Sequence, residues 1–342
     1  KGPHPPTQPT ARAVSQLPFV HPEFERIALA LFRYQAAHNP VYAEWVRLQG
    51  WDSARIEAVS SLDEVPFLPI EAFKTREVRT GTWEPEATFT SSGTTGQTPS
   101  RHDVARLEAY LRNAEAGFAY FYGAPSNYAW LCLLPSYLER EGSSLVAMAQ
   151  HFVQQSPAGE SGFFLKGLDE LRFRLETLEA NGVPTVILGV TFALLDWAES
   201  LPKPMPLKHS IIMETGGMKG RKKEMIREEV HQKLSTAWGG LSIHSEYGMT
   251  ELLSQAYSRG NGVFSCPPWM RVNLRDTEDP LTRLPEGQSG GIDIIDLANV
   301  DSCSFISTQD LGRSTGPGQF KVLGRFDHAE IRGCNLLVAV HQ

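Results

Sequence analysis

The chain has 342 residues, 41% of them hydrophobic and 21% charged, with a formal net charge of −7. That length can bury a large core in one domain or two, and the acidic balance excludes the basic face of a nucleic-acid binder. The longest apolar run, Val183 to Leu195, is too short and too mixed to cross a bilayer.

No charged start followed by an apolar stretch opens the sequence, so no signal peptide is read. Pro3, Pro5, Pro6 and Pro9 instead mark residues 1–15 as an expected mobile tail. Residues 22–50 read as two helices. Phe24, Ile27, Ala28, Leu31 and Phe32 form an apolar stripe at helical spacing, and Asn39 caps a second helix with Pro40 at its first position and Gly50 as its stop. A short β-like segment, Ala87 to Thr90, leads into FTSSGTTGQTPSRH, Phe89 to His102. Ser91, Ser92, Gly93, Thr94, Thr95 and Gly96 there combine hydroxyls with glycines that let a backbone approach a ligand and curl its N–H groups around an anion. The run is not a Walker A sequence, and alone it reads equally as a surface turn.

A helical pattern is expected from Asp103 or Val104 to Phe121, a buried strand at Tyr128 to Leu134, and helices at Gly142 to His151 and Leu168 to Ala180. Strand Thr185 to Val190, helix Phe192 to Ala198, strand His209 to Met213, helix Arg221 to Leu234 and strand Leu241 to Ser245 follow. This alternation predicts βαβ units and a mainly parallel sheet flanked by helices, an α/β fold. Beyond Tyr247, short strands with many turns predict a smaller β-rich subdomain.

Four polar segments fall at the expected C-terminal ends of strands, where open α/β sheets bind ligands. They are the Ser/Gly/Thr loop, GGMKG (Gly216 to Gly220), SEYGMTE (Ser245 to Glu251) and STQDLG (Ser307 to Gly312). The paired glycines Gly216 and Gly217 would let a flat ring lie against backbone, or simply form a strand-to-helix turn. Tyr247 offers an aromatic face for a base, Gly248 permits a tight turn, and Thr250 and Glu251 offer oxygens to a hard cation that also binds phosphates. Asp310 would accept hydrogen bonds from a ribose diol.

With SSGTTG at 91–96, YGMTE at 247–251, TQD at 308–310 and GRFD at 324–327, the sequence resembles the adenylate-forming acyl and aryl acid synthetases. PSYLEREGSSLV, METGGMKGR, YGMTELLSQ and RGCNLL look closer still to the acyl-protein synthetases of bacterial luminescence systems. The resemblance implies ATP and Mg²⁺ as cofactors and a carboxylic, fatty acid as substrate. It implies activation as acyl-AMP and transfer to a cysteine thiol, with an acyl-accepting or acyl-reductase protein as partner. Ser91 to Gly96 would then hold phosphates, and Gly216, Gly217 and Tyr247 would sandwich adenine, with Glu246, Gly248 and Met249 lining the nucleotide site. Thr250 would sit near the α-phosphate, Glu251 would bind Mg²⁺, Asp310 the ribose, and Arg325 the ribose or phosphate. Asp327 matches the hinge.

Only fifteen residues follow Asp327, so the usual C-terminal lid domain with its lysine is expected to be absent. Lys219, Arg221, Lys321 and Arg332 are alternatives to that lysine, and Arg101 is expected to replace the lysine of the usual P-K-G ending of the phosphate loop, which here reads TPSRH. The expected layout is a tail (1–15), an AMP-binding domain (16–327) and a C-terminal segment (328–342) carrying Cys334. On residues alone Cys334 reads first as a small buried residue of a last strand; the resemblance makes it the acyl acceptor, and a cationic neighbour lowers a thiol pKa. Cys132 is expected in the core, and Cys266 and Cys303 have no catalytic setting. The sparse cysteines point to a reducing, cytoplasmic location. The acyl group is expected near Ser136, Tyr137 and Leu138 or along Gly189 to Leu195. A coenzyme A or carrier-protein ligase and a nucleotide-binding subunit without catalysis are the competing readings.

Overall fold

The computed structural model describes residues 21–92, 98–134, 142–164, 166–216, 225–316 and 318–326. The described residues open with the helices α1 (His21–His38), α2 (Pro40–Leu48) and α3 (Ser53–Ala58). As expected, Asn39 caps α2: its side-chain oxygen accepts the Val41 and Tyr42 N–H groups, and Gly50 follows the helix at φ +78°. Strand β1 (Leu68–Pro69) and helix α4 (Ala72–Thr75) lead to β2 (Ala87–Thr90) and β3 (Arg101–Val104).

Here the sequence reading needs a correction. Asp103 and Val104 do not start a helix; with Arg101 and His102 they pair antiparallel with β2, Phe89 opposite His102 and Thr90 opposite Arg101. Helix α5 starts later and spans Leu107–Tyr122. The Ser/Gly/Thr loop therefore joins two strands of a hairpin. Asp103 holds β3 in place: it takes two bonds from Arg79 (2.9 and 2.7 Å), one from Thr88 Oγ1 (2.7 Å) and one from Arg101 Nε (3.1 Å).

The α/β alternation then proceeds through β4 (Ala129–Leu133), α6 (Ser144–Gln155), β5 (Gly162–Phe163), α7 (Leu168–Ala180), β6 (Thr185–Gly189), α8 (Thr191–Ser200), β7 (Ser210–Glu214), α9 (Arg227–Ala237) and β8 (His244–Tyr247). Neighbours in the order β5-β4-β6-β7-β8 are parallel. Side-chain alternation sorts the two faces. Trp130, Cys132, Val186, Leu188 and Met213 pack toward α5 and α6, while Leu131, Leu133, Ile187 and Ile212 pack toward α7, α8 and α9. Cys132 lies in that core as expected, and burial pushes its thiol far up.

The remaining strands are β9 (Ala256–Ser258), β10 (Phe264–Ser265), β11 (Met270–Arg275), β12 (Ser289–Asp296), β13 (Phe305–Gly316) and β14 (Gln319–Arg325). The expected β-rich region is present, and it is not a separate sheet. Among the described residues the order β11-β12-β13-β14-β10-β9-β8-β7-β6-β4-β5, with β1 beside β13, makes one continuous twelve-stranded sheet. Its antiparallel half shares a core with α1 and α2 that includes Phe32, Tyr42, Phe264, Phe305 and Phe320. Asp310 accordingly lies inside the long strand β13, not after a strand end.

Candidate active site

The end of β8 and the YGMTE segment sit where the parallel half turns antiparallel. Tyr247, the last residue of β8, is 8% exposed and packs against Phe264 and Phe320, with ring centroids 5.8 and 5.6 Å away. Its hydroxyl donates to Asp310 Oδ2 at 2.8 Å, and Arg325 Nε lies 3.2 Å from Asp310 Oδ1. Asp310 and Arg325 are register partners of β13 and β14, so adjacent strands aim both side chains at one point. Burial, then the Asp310 charge, drives the Tyr247 phenol well above its ordinary pKa. It remains a donor.

The hairpin grips the same segment from the other side. Ser91 and Ser100 close the loop through Ser91 N–H to Ser100 O (3.0 Å) and Ser100 N–H to Ser91 Oγ (2.8 Å). His102 is buried, and its Nδ1 meets the Thr250 carbonyl at 2.8 Å. Burial lowers the imidazole pKa despite that bond, so a neutral ring with its proton on Nδ1 donates to Thr250. Glu251 is buried too. Burial raises its carboxyl pKa, opposed by a hydrogen bond from Ser100 and by the Arg325 charge. Asn299 Nδ2 donates to the Glu251 carbonyl at 2.9 Å, and Asp296 accepts the N–H groups of Leu253 and Ser254 at 2.9 and 3.0 Å. Three sides thus fix one loop.

One strand over, Glu214 ends β7 and receives Gly216 N–H (2.7 Å) and Thr191 Oγ1 (3.0 Å), with Arg227 Nε at 3.2 Å and His231 Nε2 at 3.5 Å. Burial works against its charge, yet His231, Arg227, Ser245 and Gly216 outweigh it and hold the carboxyl at about 2. Glu246 on β8 is the opposite case: burial, with the Glu214 charge behind it, pushes its carboxyl up to about 8. Two acids on adjacent strands are thus kept in different states at neutral pH. Gly216 has φ +76° and open space where a Cβ would stand, which leaves its backbone accessible to a ligand.

The structure therefore brings together Tyr247, Thr250, Glu251, Asp310 and Arg325, with Ser91 at the hairpin mouth and Ser92 exposed beside it. Glu246 lies on β8 and Gly248 just after it, and Met249 packs against the core of the antiparallel half. Gly93, Thr94, Thr95, Gly96, Gly217, Asp327 and Cys334 lie outside the described residues, as do Ser136, Tyr137, Leu138, Lys219, Arg221, Arg332 and residues 1–15. Arg101 is engaged by Asp103, and Lys321 Nζ lies 3.9 Å from Glu228. Cys266 and Cys303 have thiols that burial pushes up to about 12, far from a reactive thiolate. Sequence reasoning missed His102, Asp296 and Asn299. His102 and Asn299 bond the YGMTE backbone and Asp296 the residues just after it, each from a distant stretch of chain and with no motif of its own.

Among the described residues no three His, Cys, Asp or Glu side chains form a metal cluster. The buried Glu251 carboxyl, hydrogen-bonded by Ser100, does fit Mg²⁺, which takes one or two carboxylates plus substrate phosphates.

No protein-family model and no curated protein matches this sequence. Solved structures do. ATP-bound MatB from Rhodopseudomonas palustris matches at TM-score 0.51 and 19% identity, over 70% of this chain and 48% of that one. A 2-hydroxyisobutyryl-CoA ligase in complex with 2-HIB-AMP and CoA matches in an open conformation at TM-score 0.61 and 14% identity, over 95% and 80%. In its thioesterification state the values are 0.62 and 16%, over 90% and 69%. This chain shares their fold. The chain spans about half the length of MatB. Within the ligase fold, the pairing of Tyr247 with Asp310 and Arg325 joins residues from both halves of the sheet.

Proposed function

We propose that the chain is an ATP-dependent ligase that activates a carboxylic acid as its acyl-adenylate and passes the acyl group to a thiol. The observation that carries this reading is the junction of Tyr247, Asp310 and Arg325 with the buried Glu251, on a fold shared with ligases solved with ATP or an acyl-AMP. Asp310 is held in an orientation that can accept a ribose diol. Ser91 and Ser92 would supply hydroxyls for phosphate, and by the resemblance Gly93 to Gly96 would add further hydroxyls and N–H groups. A carboxylate attacking a phosphate is anion meeting anion, so fixed donors and cations at the developing charge carry the catalysis. Arg325 is the described cation best placed for this. Its side chain is half exposed, while the carboxylate it faces is largely buried. When bound, Mg²⁺ would supply further neutralisation there, with Glu251 as its protein ligand.

Two thiols compete as acceptor. The solved ligases hold CoA, which favours a small-molecule thiol. The sequence around Cys334 favours self-acylation, with a protein partner taking the acyl group onward. The residues implied by resemblance alone, Gly93 to Gly96, Gly217, Asp327 and Cys334, belong to this proposal, as do the domain limits 16–327 and 328–342.

The test is ATP–pyrophosphate exchange with a panel of acids, followed by mass spectrometry of the protein and assay of acyl-CoA. Acid-dependent exchange is expected. A covalent acyl-protein lost in Cys334→Ala supports the protein acceptor; product only with added CoA supports the other. ATP binding without acid-dependent exchange would leave a nucleotide-binding subunit and remove the ligase reading.

A further inference from the structure

The face of β8 and β9 that turns away from Asp310 carries polar residues that the nucleotide site does not use. Glu246 and Tyr257 are register partners across this antiparallel pair, so their side chains stand on one face, and Gln255, two residues before Tyr257, shares it. Helix α5 covers that face. Phe118, Phe121 and Tyr122 pack on the Tyr257 ring at 6.0, 5.4 and 5.6 Å, and Asn113 Nδ2 donates to the Leu253 carbonyl at 2.7 Å.

Tyr257 is 2% exposed and Gln255 5%, yet Tyr257 Oη and Gln255 Oε1 have no hydrogen-bond partner among the described residues. A buried polar atom left without a partner is costly to the fold. Glu246 stands beside them, buried and protonated at neutral pH, so it offers an O–H donor rather than a charge. Gly248 marks where this seam meets the nucleotide site. A Cβ built there would lie 2.4 Å from Glu246 Oε1 and 3.4 Å from Gln255 Cγ. Gly248 itself is exposed, two residues before Thr250.

We propose that this seam receives the acyl part of the acid, and that the acid carries a hydroxyl or carbonyl oxygen close to its carboxylate, bound by Tyr257, Gln255 and Glu246. This rests on the carboxylate-activating reading above. A ligand hydroxyl can accept from Tyr257 Oη and donate to Gln255 Oε1, whereas a keto oxygen can only accept, from Tyr257 Oη or from the protonated Glu246. A plain alkyl chain leaves both unpaired, and sites built around such bonds reject analogues that lack them far more strongly than sites that sense only bulk.

The experiment compares acids in matched pairs of equal length, one plain and one bearing a hydroxyl or keto group near the carboxylate. ATP–pyrophosphate exchange is measured for the unaltered protein, Tyr257→Phe and Gln255→Met. Oxygenated acids are expected to exceed their plain partners at least about ten-fold in kcat/KM, and each substitution to reduce that ratio several-fold. ATP titration without acid reports whether each variant is folded. Equal use of both series, with ratios unmoved by either substitution, would mean a seam filled by water only; the inference would fall and the ligase reading would stand. Exchange with no acid of either series, in protein that binds ATP, would overturn both.

Discussion

Asp310 receives the Tyr247 hydroxyl on one oxygen and faces Arg325 with the other, so its orientation is set before any ligand arrives. Tyr247→Phe keeps the ring between Phe264 and Phe320 and removes only the hydroxyl bond. A hydrogen bond to a carboxylate contributes about 1.5–3 kcal/mol to stability, so urea unfolding is expected to show a loss of that order, and ATP affinity is expected to fall several-fold in a calorimetric titration. An unchanged affinity would show that Asp310 needs no such guide. Tyr247, Glu251, Asp310 and Arg325 were all legible in the sequence, because each sits inside a short motif whose residue types state their chemistry. His102, Asp296 and Asn299 were not. Their role is to bond main-chain groups near Thr250 and Glu251, and any donor or acceptor brought there by the fold would serve, so no local pattern marks them.

The hairpin of β2 and β3 was the element least legible in the sequence. Arg101 to Val104 shows no clear apolar alternation, because its buried members include His102 and Asp103. These become strand residues only through Phe73 against the imidazole and Arg79 on the carboxylate, partners about 25–30 positions upstream. The parallel strands were legible because both faces are buried, which writes a continuous apolar run. At the same scale, Gly248 owes its identity to the carboxyl of Glu246 beneath it. Gly248→Ala is expected to cost about 1–3 kcal/mol by overpacking. That cost should shrink in a Glu246→Ala background, as a double-mutant cycle in urea would show.

The acids of β7 and β8 make opposite contributions to pH dependence. The Glu246 carboxyl titrates at about 8 in the folded chain against an ordinary 4.5, so the folded state holds a proton that the unfolded chain has lost. Stability therefore falls as pH rises between those values, and is flat above them. Glu214, held at about 2, contributes stability above its ordinary 4.5 that is lost as pH falls toward 2. Glu246→Gln is expected to abolish the decline between about pH 4.5 and 8 in urea unfolding while leaving the acid limb intact. A decline that persists unchanged in the variant would assign it to another group.

Across the whole molecule, Arg275 ties the antiparallel half together. One guanidinium nitrogen bonds the Ile292 carbonyl and Asp293 (2.9 and 2.7 Å), and another the Thr308 carbonyl (2.6 Å), two residues before Asp310. Arg275→Met breaks a buried pair from one side, and about 3–5 kcal/mol of stability is expected to be lost. Arg275→Lys should recover only part, since an ammonium cannot reproduce the fork. Equal midpoints for the two variants in guanidinium unfolding would count against the fork. The sequence foretold a β-rich end to the chain, but not that it fuses with the parallel strands, because register between strands some fifty residues apart leaves no mark in either.

That fusion depends on β14, which lies between β13 and β10. On the ribosome, residues as far as Ser265 could already have assembled around the parallel strands, and β11 to β13 could have formed a meander of their own. Until Gln319–Arg325 emerges, each group shows an unpatched border of free N–H and C=O groups, the kind of border on which nascent chains stick to one another. The same seven residues bring in Arg325. Closing that border and completing the grip on Asp310 are one event, so a chain still vulnerable to aggregation is also one in which Arg325 does not yet face Asp310.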